Sequence, residues 1–337
     1  MVNSISWNYS ILINLRIIVS YINNDNNMML NLAEQRNARF FCFRLRILKM
    51  AILKIRKVSQ GSKFMTNIFE ILIYSFVFFT LWLLMEAQAY RVRRIKINNI
   101  KIPRSFKDFK IVFISDIHYG KFFRAKRLIR VVNRINKLDP DIIIIGGDYL
   151  DISVKSKKDV SKYLDKEFEA LRKLKAKMGI FTVLGNHDYY NRRNALVNEI
   201  KLSSIKLLKN TKEFINIGEG RIELIGIDDL IEGNPEVNML KENSNNFTIA
   251  VSHNPDFFSD YKKQINYDLG LSGHTHGGQV TFFGLYAPYT SSKYGQKYVK
   301  KVVHEENREI VLTHGIGNGM LPIRFFVIPE ILEIHLE

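Results

Sequence analysis

The distribution of apolar and polar residues divides this chain near Lys110. Upstream, one segment dominates: Ile71–Met85 (ILIYSFVFFTLWLLM) runs without a charge between Glu70 and Glu86. With Ile68, Phe69 and Ala87–Tyr90 it reaches the roughly 20 residues that a membrane-spanning helix needs. Downstream, short apolar runs alternate with amphipathic ones. Ile111–Ser115, Asp141–Ile145 and Ile180–Leu184 read as buried strands. Between them, Arg124–Lys137 places Leu128, Val131, Val132 and Ile135 on one helical face. A second, charged helix is expected over about 157–177, with Leu164, Phe168, Leu171 and Leu174 inward. This alternation predicts an α/β layered fold with a partly parallel sheet. Beyond about residue 200 the helices thin out, and Ile205–Leu208, Arg221–Ile227, Phe247–Ser252, Tyr267–Ser272 and Glu309–Leu312 read as short strands. The expectation is two sheets packed as a sandwich with helices outside.

Charge sharpens the division. The 337 residues carry a net +17, and residues 1–110 hold 18 Lys/Arg against 5 Asp/Glu. Residues 111–337 carry only +4, too little for the basic stripe a nucleic-acid-binding face needs, so no nucleic acid is expected as a partner. The basic excess instead flanks the apolar run, which fits an anionic membrane surface. A single cysteine, Cys42, excludes an intrachain disulfide framework and a four-cysteine zinc site.

Three readings of the apolar run stand: an uncleaved signal-anchor, a signal peptide cleaved near Ala87-Gln88-Ala89, and a buried core helix. The anchor is preferred, because Arg91, Arg93 and Arg94 suit a headgroup layer better than a cleavage site. Basic residues on both sides leave the orientation open. The expected organisation is a basic extension over 1–64, with Met50 and Met65 as alternative starts, and an anchor helix over 65–90. A juxtamembrane linker with a first strand follows over 91–109, then a catalytic domain over 110–337.

Polar clusters stand at the C-terminal ends of the apolar strands, where α/β sheets place ligand sites. In order they are Asp116-Ile-His118, Gly147-Asp148, Gly185-Asn186-His187-Asp188, Ser252-His253-Asn254 and Gly273-His274-Thr-His276. Each alone has a plain alternative: a cap, a turn or a satisfied histidine. Together they offer a mixed nitrogen and oxygen donor set suited to Mn, Fe or Zn rather than Ca or Cu(I). Seven such ligands exceed what one ion needs and suit two ions sharing a carboxylate.

The order D-x-H, G-D, G-N-H-D, H, G-H-x-H resembles the calcineurin-like metallophosphoesterase superfamily, without a substitution between Asp116 and His276. Ser115–His118, Gly273–Gln279, Gly315–Phe325 and Pro329-Glu330-Ile331 further resemble its membrane-associated bacterial branch of YkuE/YaeI type. The resemblance implies a four-layer sandwich of two mixed sheets flanked by helices, here with an N-terminal transmembrane helix. It implies two divalent metal ions. Asp116, His118 and His276 would hold the first, Asn186, His253 and His274 the second, and Asp148 would bridge them. His187 would donate a proton or stabilise the leaving oxygen, with Asp188 orienting it. The implied activity is hydrolysis of a phosphodiester or phosphomonoester by a metal-bridging hydroxide; the anchor and its basic flanks point to a membrane or envelope substrate, at the cell membrane. Two alternatives stay open: a pyrophosphatase acting on a nucleotide-linked lipid of UDP-diacylglucosamine type, and a non-catalytic metal-binding scaffold.

Other polar residues read as structural. His304 and His335 are expected at surface or edge positions; His314, before the Gly-x-Gly loop, is expected in an ordinary loop, with an approach to the site as the alternative. Arg324 is expected either to contact a phosphate or headgroup or to pair with Glu330 or Glu333.

Overall fold

The computed structural model describes residues 64–337 apart from 191 and 320. The expectations for the extension before residue 64 lie outside the described residues. Helix α1 spans Phe64–Gln88, and Glu70–Gln88 is long and apolar enough to cross a membrane. Only 11% of that stretch is buried, and Leu72, Phe76 and Leu81 are exposed. The chain divides into two compact units at Trp82/Leu83.

The unit from Leu83 onward contains two six-stranded mixed sheets. The first has the order β1 (Arg91–Ile97), β12 (Glu330–Leu336), β2 (Lys110–Ile114), β3 (Ile142–Ile145), β4 (Ile180–Thr182), β5 (Ile205–Leu207). Strands β2 to β5 are parallel and are linked by helices α2 (Ala125–Asn136), α3 (Lys157–Leu171) and α4 (Arg193–Lys201). The second has the order β10 (Val302–Glu305), β11 (Arg308–Leu312), β9 (Leu269–Ser272), β8 (Phe247–Val251), β7 (Gly220–Gly226), β6 (Thr211–Ile217).

The apolar runs explain the layering. A strand buried on both faces needs no alternation, and Ile142–Ile145 is four isoleucines, all buried. Ile143 and Ile145 face Leu128, Val131, Val132, Leu164 and Phe168 on the helices. Ile142 and Ile144 join Phe113, Leu224, Ile249, Val251 and Leu271 between the sheets. Phe257 and Phe258, on the short helix α5 (Asp256–Asp260), cover the outer face of the second sheet with Leu240 and Tyr298. The expected four-layer α/β sandwich is therefore present.

The differences have physical causes. Helix α3 stops at Leu171, where Asn136 takes over the following turn by donating to the Lys173 carbonyl at 2.7 Å and accepting from the Lys175 N–H at 2.9 Å. Leu174 is nevertheless buried, so its place in the periodicity is served by a loop. His335 is not on an edge: β12 lies between β1 and β2. Glu330, Glu333 and His335 interrupt the apolar signal of that strand. Glu330 is buried against Arg91 and Arg93 at 3.1 and 3.0 Å, and Glu333 pairs with Arg94 at 2.7 Å.

Candidate metal centre

All five polar clusters stand at the carboxyl ends of parallel strands, β2, β3 and β4 of one sheet and β8 and β9 of the other. The two sheets thus bring their strand ends to a common place. Loops there must turn sharply to aim side chains inward. Asp116, His118, Asp148, His274 and His276 have φ of 54°, 45°, 57°, 64° and 50°. This left-handed region is unfavourable for most side chains, although Asp and His tolerate it better than apolar residues do. Gly147, at φ 90°, stands where a Cβ would lie 2.4 Å from the Gly185 nitrogen.

The side chains converge closely. His276 Nε2 is 3.4 Å from Asp116 Oδ1 and 3.1 Å from His118 Nε2. Asp148 Oδ2 is 3.6 Å from His118 Nε2 and 3.3 Å from His253 Nε2. Asp116-His118-His276 and Asp148-His253-His274 are each grouped closely enough to hold a metal ion, as is His118-Asp148-His187. All of these are buried except His187, which is half-buried with its ring centroid 4.9 Å from that of His118. The His187 N–H donates to Asp148 Oδ1 at 2.9 Å.

The donor set fits divalent cations. The imidazole Nδ1–H of His253 donates to the Gly146 carbonyl at 2.7 Å, which turns the Nε2 lone pair toward the carboxylates. That Nε2, the Asn186 Oδ1 and the His118 Nδ1 are buried without hydrogen-bond partners. Burying polar atoms unpaired is costly, so such a cluster is expected where an ion binds. Burial pushes His118 down to about 3 and His274 to about 4, so both rings are neutral and ready to donate lone pairs above mildly acidic pH. Burial raises Asp116 to about 6 against the opposing pull of His253. Burial alone would raise Asp148 too, but the charges of His253 and His187 hold it well below the usual range. His253 shows the reverse balance: burial lowers it, and Asp148 and Asp116 raise it well above its ordinary value.

Asp188 is fully buried and its carboxylate accepts three backbone N–H groups: Asp148 at 2.8 Å, Tyr149 at 2.9 Å and Gly185 at 2.9 Å. The three-residue turn Asn186–Asp188 directs it back toward the strand ends. Its hydrogen bonds therefore tie the loops after β3 and β4 to each other.

Two residues near the cluster have surroundings that sequence reasoning did not foresee. Arg324 pairs with neither Glu330 nor Glu333. Its fully buried guanidinium lies 3.2 Å from His276 Nδ1 and donates to the carbonyls of His314 at 2.8 Å and Gly317 at 2.7 Å. His314 is not an ordinary loop residue: it is buried against Gly277, with both ring nitrogens unpartnered. Only the late Gly-x-Gly stretch hinted that this segment approaches the site.

Comparison with known proteins agrees with this geometry. The family model for calcineurin-like phosphoesterases matches residues 109–278. The metallophosphoesterase YkuE of Bacillus subtilis, itself uncharacterized, is 32% identical over 243 residues, 70% of this chain and 82% of that protein. The phosphodiesterase YaeI of Escherichia coli is 29% identical over 238 residues, 68% of this chain and 84% of that one. An uncharacterized metallophosphoesterase of Helicobacter pylori is 29% identical over 72% of this chain, and the match spans only 64% of that relative. This chain belongs to the calcineurin-like phosphoesterase family. It is a hydrolase acting on phosphoesters, and the family uses two divalent metal ions.

Proposed function

We propose that this chain is a membrane-anchored, dinuclear phosphodiesterase acting on a membrane or envelope substrate. The observation that carries the reading is the position of Asp148, whose Oδ2 faces His118 at 3.6 Å and His253 at 3.3 Å. One carboxylate thus lies between two separate ligand groups. In this reading Asp116, His118 and His276 hold one ion, Asn186, His253 and His274 the other, and Asp148 both. When bound, the ions would supply positive charge to the phosphoryl oxygens and lower the pKa of a water nucleophile. His187 is held beside Asp148 by its own backbone N–H and is the half-buried member of the group. It is placed to give a proton to the leaving oxygen, a role histidine commonly takes. Asp188 positions the loop that carries His187. Glu70–Gln88 supports the anchor by length and composition. The name of the Escherichia coli relative favours a diester over a monoester.

The test uses the full chain in detergent, with a chromogenic diester and monoester and a nucleotide-linked lipid pyrophosphate measured side by side. Turnover is expected to require added Mn²⁺, to stop with chelator, and to favour the diester. Asp148→Asn should lose metal and activity while its circular dichroism is unchanged. Full activity of Asp148→Asn would overturn the shared-carboxylate reading. Preference for the lipid pyrophosphate would replace the diester assignment, and a folded, metal-loaded chain inert on all three would favour a scaffold role.

A further inference from the structure

The segment that leaves the cluster at His276 carries an exposed aromatic hairpin. Gly277 and Gly278 follow His276, and Val280 then bridges to Phe325. Phe282 and Tyr286 face each other across the tip, the Phe282 N–H donating to the Tyr286 carbonyl at 2.8 Å. The chain returns over Ala287, where a Cβ on Gly278 would lie 2.3 Å from the Ala287 Cβ. It closes at Ser291, whose carbonyl is 3.2 Å from His274 Nε2. The hairpin is thus rooted at both ends in histidines of the candidate metal centre.

The side chains at its tip face solvent. Phe282, Phe283, Leu285, Tyr286 and Tyr289 are exposed, Phe283 by 71% and Tyr289 by 74%, and Leu321 on the neighbouring loop is exposed too. So many apolar groups on one protrusion mark an interaction surface rather than ordinary surface scatter. The tip also carries strain. Phe283 at φ 54° and Gly284 at φ 73° are its central residues. A turn with both φ positive favours Asn-Gly, so a phenylalanine at the first position is held at a conformational cost.

Two further observations identify the occupant. The Leu321–Phe326 loop meets the end of α1: the Arg324 N–H donates to the Leu83 carbonyl at 3.2 Å. The side chain of the same residue reaches His276. Leu83, where the second unit begins, is thus bonded to a residue that also reaches the candidate metal centre. Charge completes the picture: Gly277–Val303 contains four lysines and no carboxylate, and Gly315–Pro329 contains Arg324 and no carboxylate. Aromatic, tyrosine-containing and basic segments beside the end of an apolar helix match the interface of an anionic bilayer.

We propose that the Val280–Tyr289 hairpin and the Leu321–Phe326 loop are a lipid-docking surface that inserts into an anionic bilayer and holds the candidate metal centre at the phosphate level of that leaflet. The inference rests on the membrane-anchored reading above and deepens it. The substrate class it fits is a phosphoester borne by a lipid in the same leaflet, reached without leaving the membrane.

The experiment uses the full chain with Cys42→Ser, which removes its one cysteine. An environment-sensitive fluorophore is placed at Phe283→Cys or, as control, at Ile100→Cys. Ile100 is fully exposed past the other end of β1, and seven strand residues at about 3.3 Å each put it roughly 20 Å from Arg91. Both proteins are reconstituted in phosphatidylcholine vesicles with and without phosphatidylglycerol, some carrying a shallow nitroxide lipid. The label at 283 should shift to the blue and be quenched at least twofold by the nitroxide, more strongly with phosphatidylglycerol, while the label at 100 stays aqueous. A label at 283 as aqueous as that at 100, on a chain that floats with vesicles after carbonate washing, overturns the docking surface and leaves the anchor standing. A chain that does not float overturns both. A blue shift without quenching that disappears on dilution assigns the surface to a second copy of this chain and overturns the lipid assignment. None of these readouts depends on turnover.

Discussion

Glu330→Gln isolates the ion-pair knot that joins the two ends of the folded unit. Glu330 opens β12 in full burial, accepts from Arg91 and Arg93, and its N–H donates to the Gly315 carbonyl at 3.0 Å. Burial would raise this carboxyl, but His314, Arg93 and Arg91 more than offset it and bring it down to about 2 from the ordinary 4.5. That depression corresponds to about 3 kcal/mol of stability. Because the folded-state value is lowered, the contribution is fully present above pH 4.5 and is lost as pH falls toward 2. Glutamine keeps the volume and removes the charge, so at pH 7 the variant should be about 3 kcal/mol less stable. In a domain of this size that lowers Tm by roughly 6–12 °C. Urea unfolding of both proteins in detergent and chelator, at pH 7 and pH 3, measures the gap. It should shrink to about 1 kcal/mol at pH 3, where wild-type Glu330 has lost most of its advantage. A gap of equal size at both pH values, or none at pH 7, would refute the electrostatic account.

Two further variants test the centre itself. Gly147→Ala must accommodate φ 90° and a Cβ 2.4 Å from the Gly185 nitrogen. Strain and overpacking together should cost about 2–5 kcal/mol, read as a lower urea midpoint; a wild-type midpoint would show that the loops after β3 and β4 can separate freely. His187→Asn should lower kcat by about 10²–10⁴-fold, with metal content measured by mass spectrometry unchanged. If the loss appeared in metal content instead, His187 would be a ligand rather than a proton donor.

Much of the architecture was legible because the apolar runs are short, pure and regularly spaced. Ile142–Ile145 can be little else than a buried strand, and each such strand announces its end by a polar cluster. What stayed hidden is carried by residues whose partners are remote. Strand β12 reads as polar because Glu330 and Glu333 are neutralised by arginines of β1, about 240 residues earlier in the chain. Strand β6 buries only Ile215, so its alternation is faint. Arg324 was open between a phosphate or headgroup contact and a pairing with Glu330 or Glu333, because nothing local reveals that it would be enclosed by the carbonyls of His314 and Gly317. The candidate ligand residues could be picked out by type and order, but the positive φ at five of them could not.

That strain explains why the loops interlock as they do. Each strained turn is held by the next loop. The Asp116 N–H donates to the Gly147 carbonyl at 3.0 Å, and the His118 N–H to the Asp148 carbonyl at 3.0 Å, so the loop after β2 hangs on the loop after β3. The Asp148 N–H donates to Asp188, which hangs that loop on the one after β4. The His274 N–H donates to both oxygens of Asp116 at 3.1 Å, which brings the second sheet onto the first. A left-handed residue costs roughly 1–2 kcal/mol when nothing compensates it. Here four loops compensate one another, and the buried strands beneath them fix their roots. The side chains that face the centre are therefore aimed by the chain itself, and Asp188, which touches three backbone N–H groups, does for the loops what Asp148 is proposed to do for the ions.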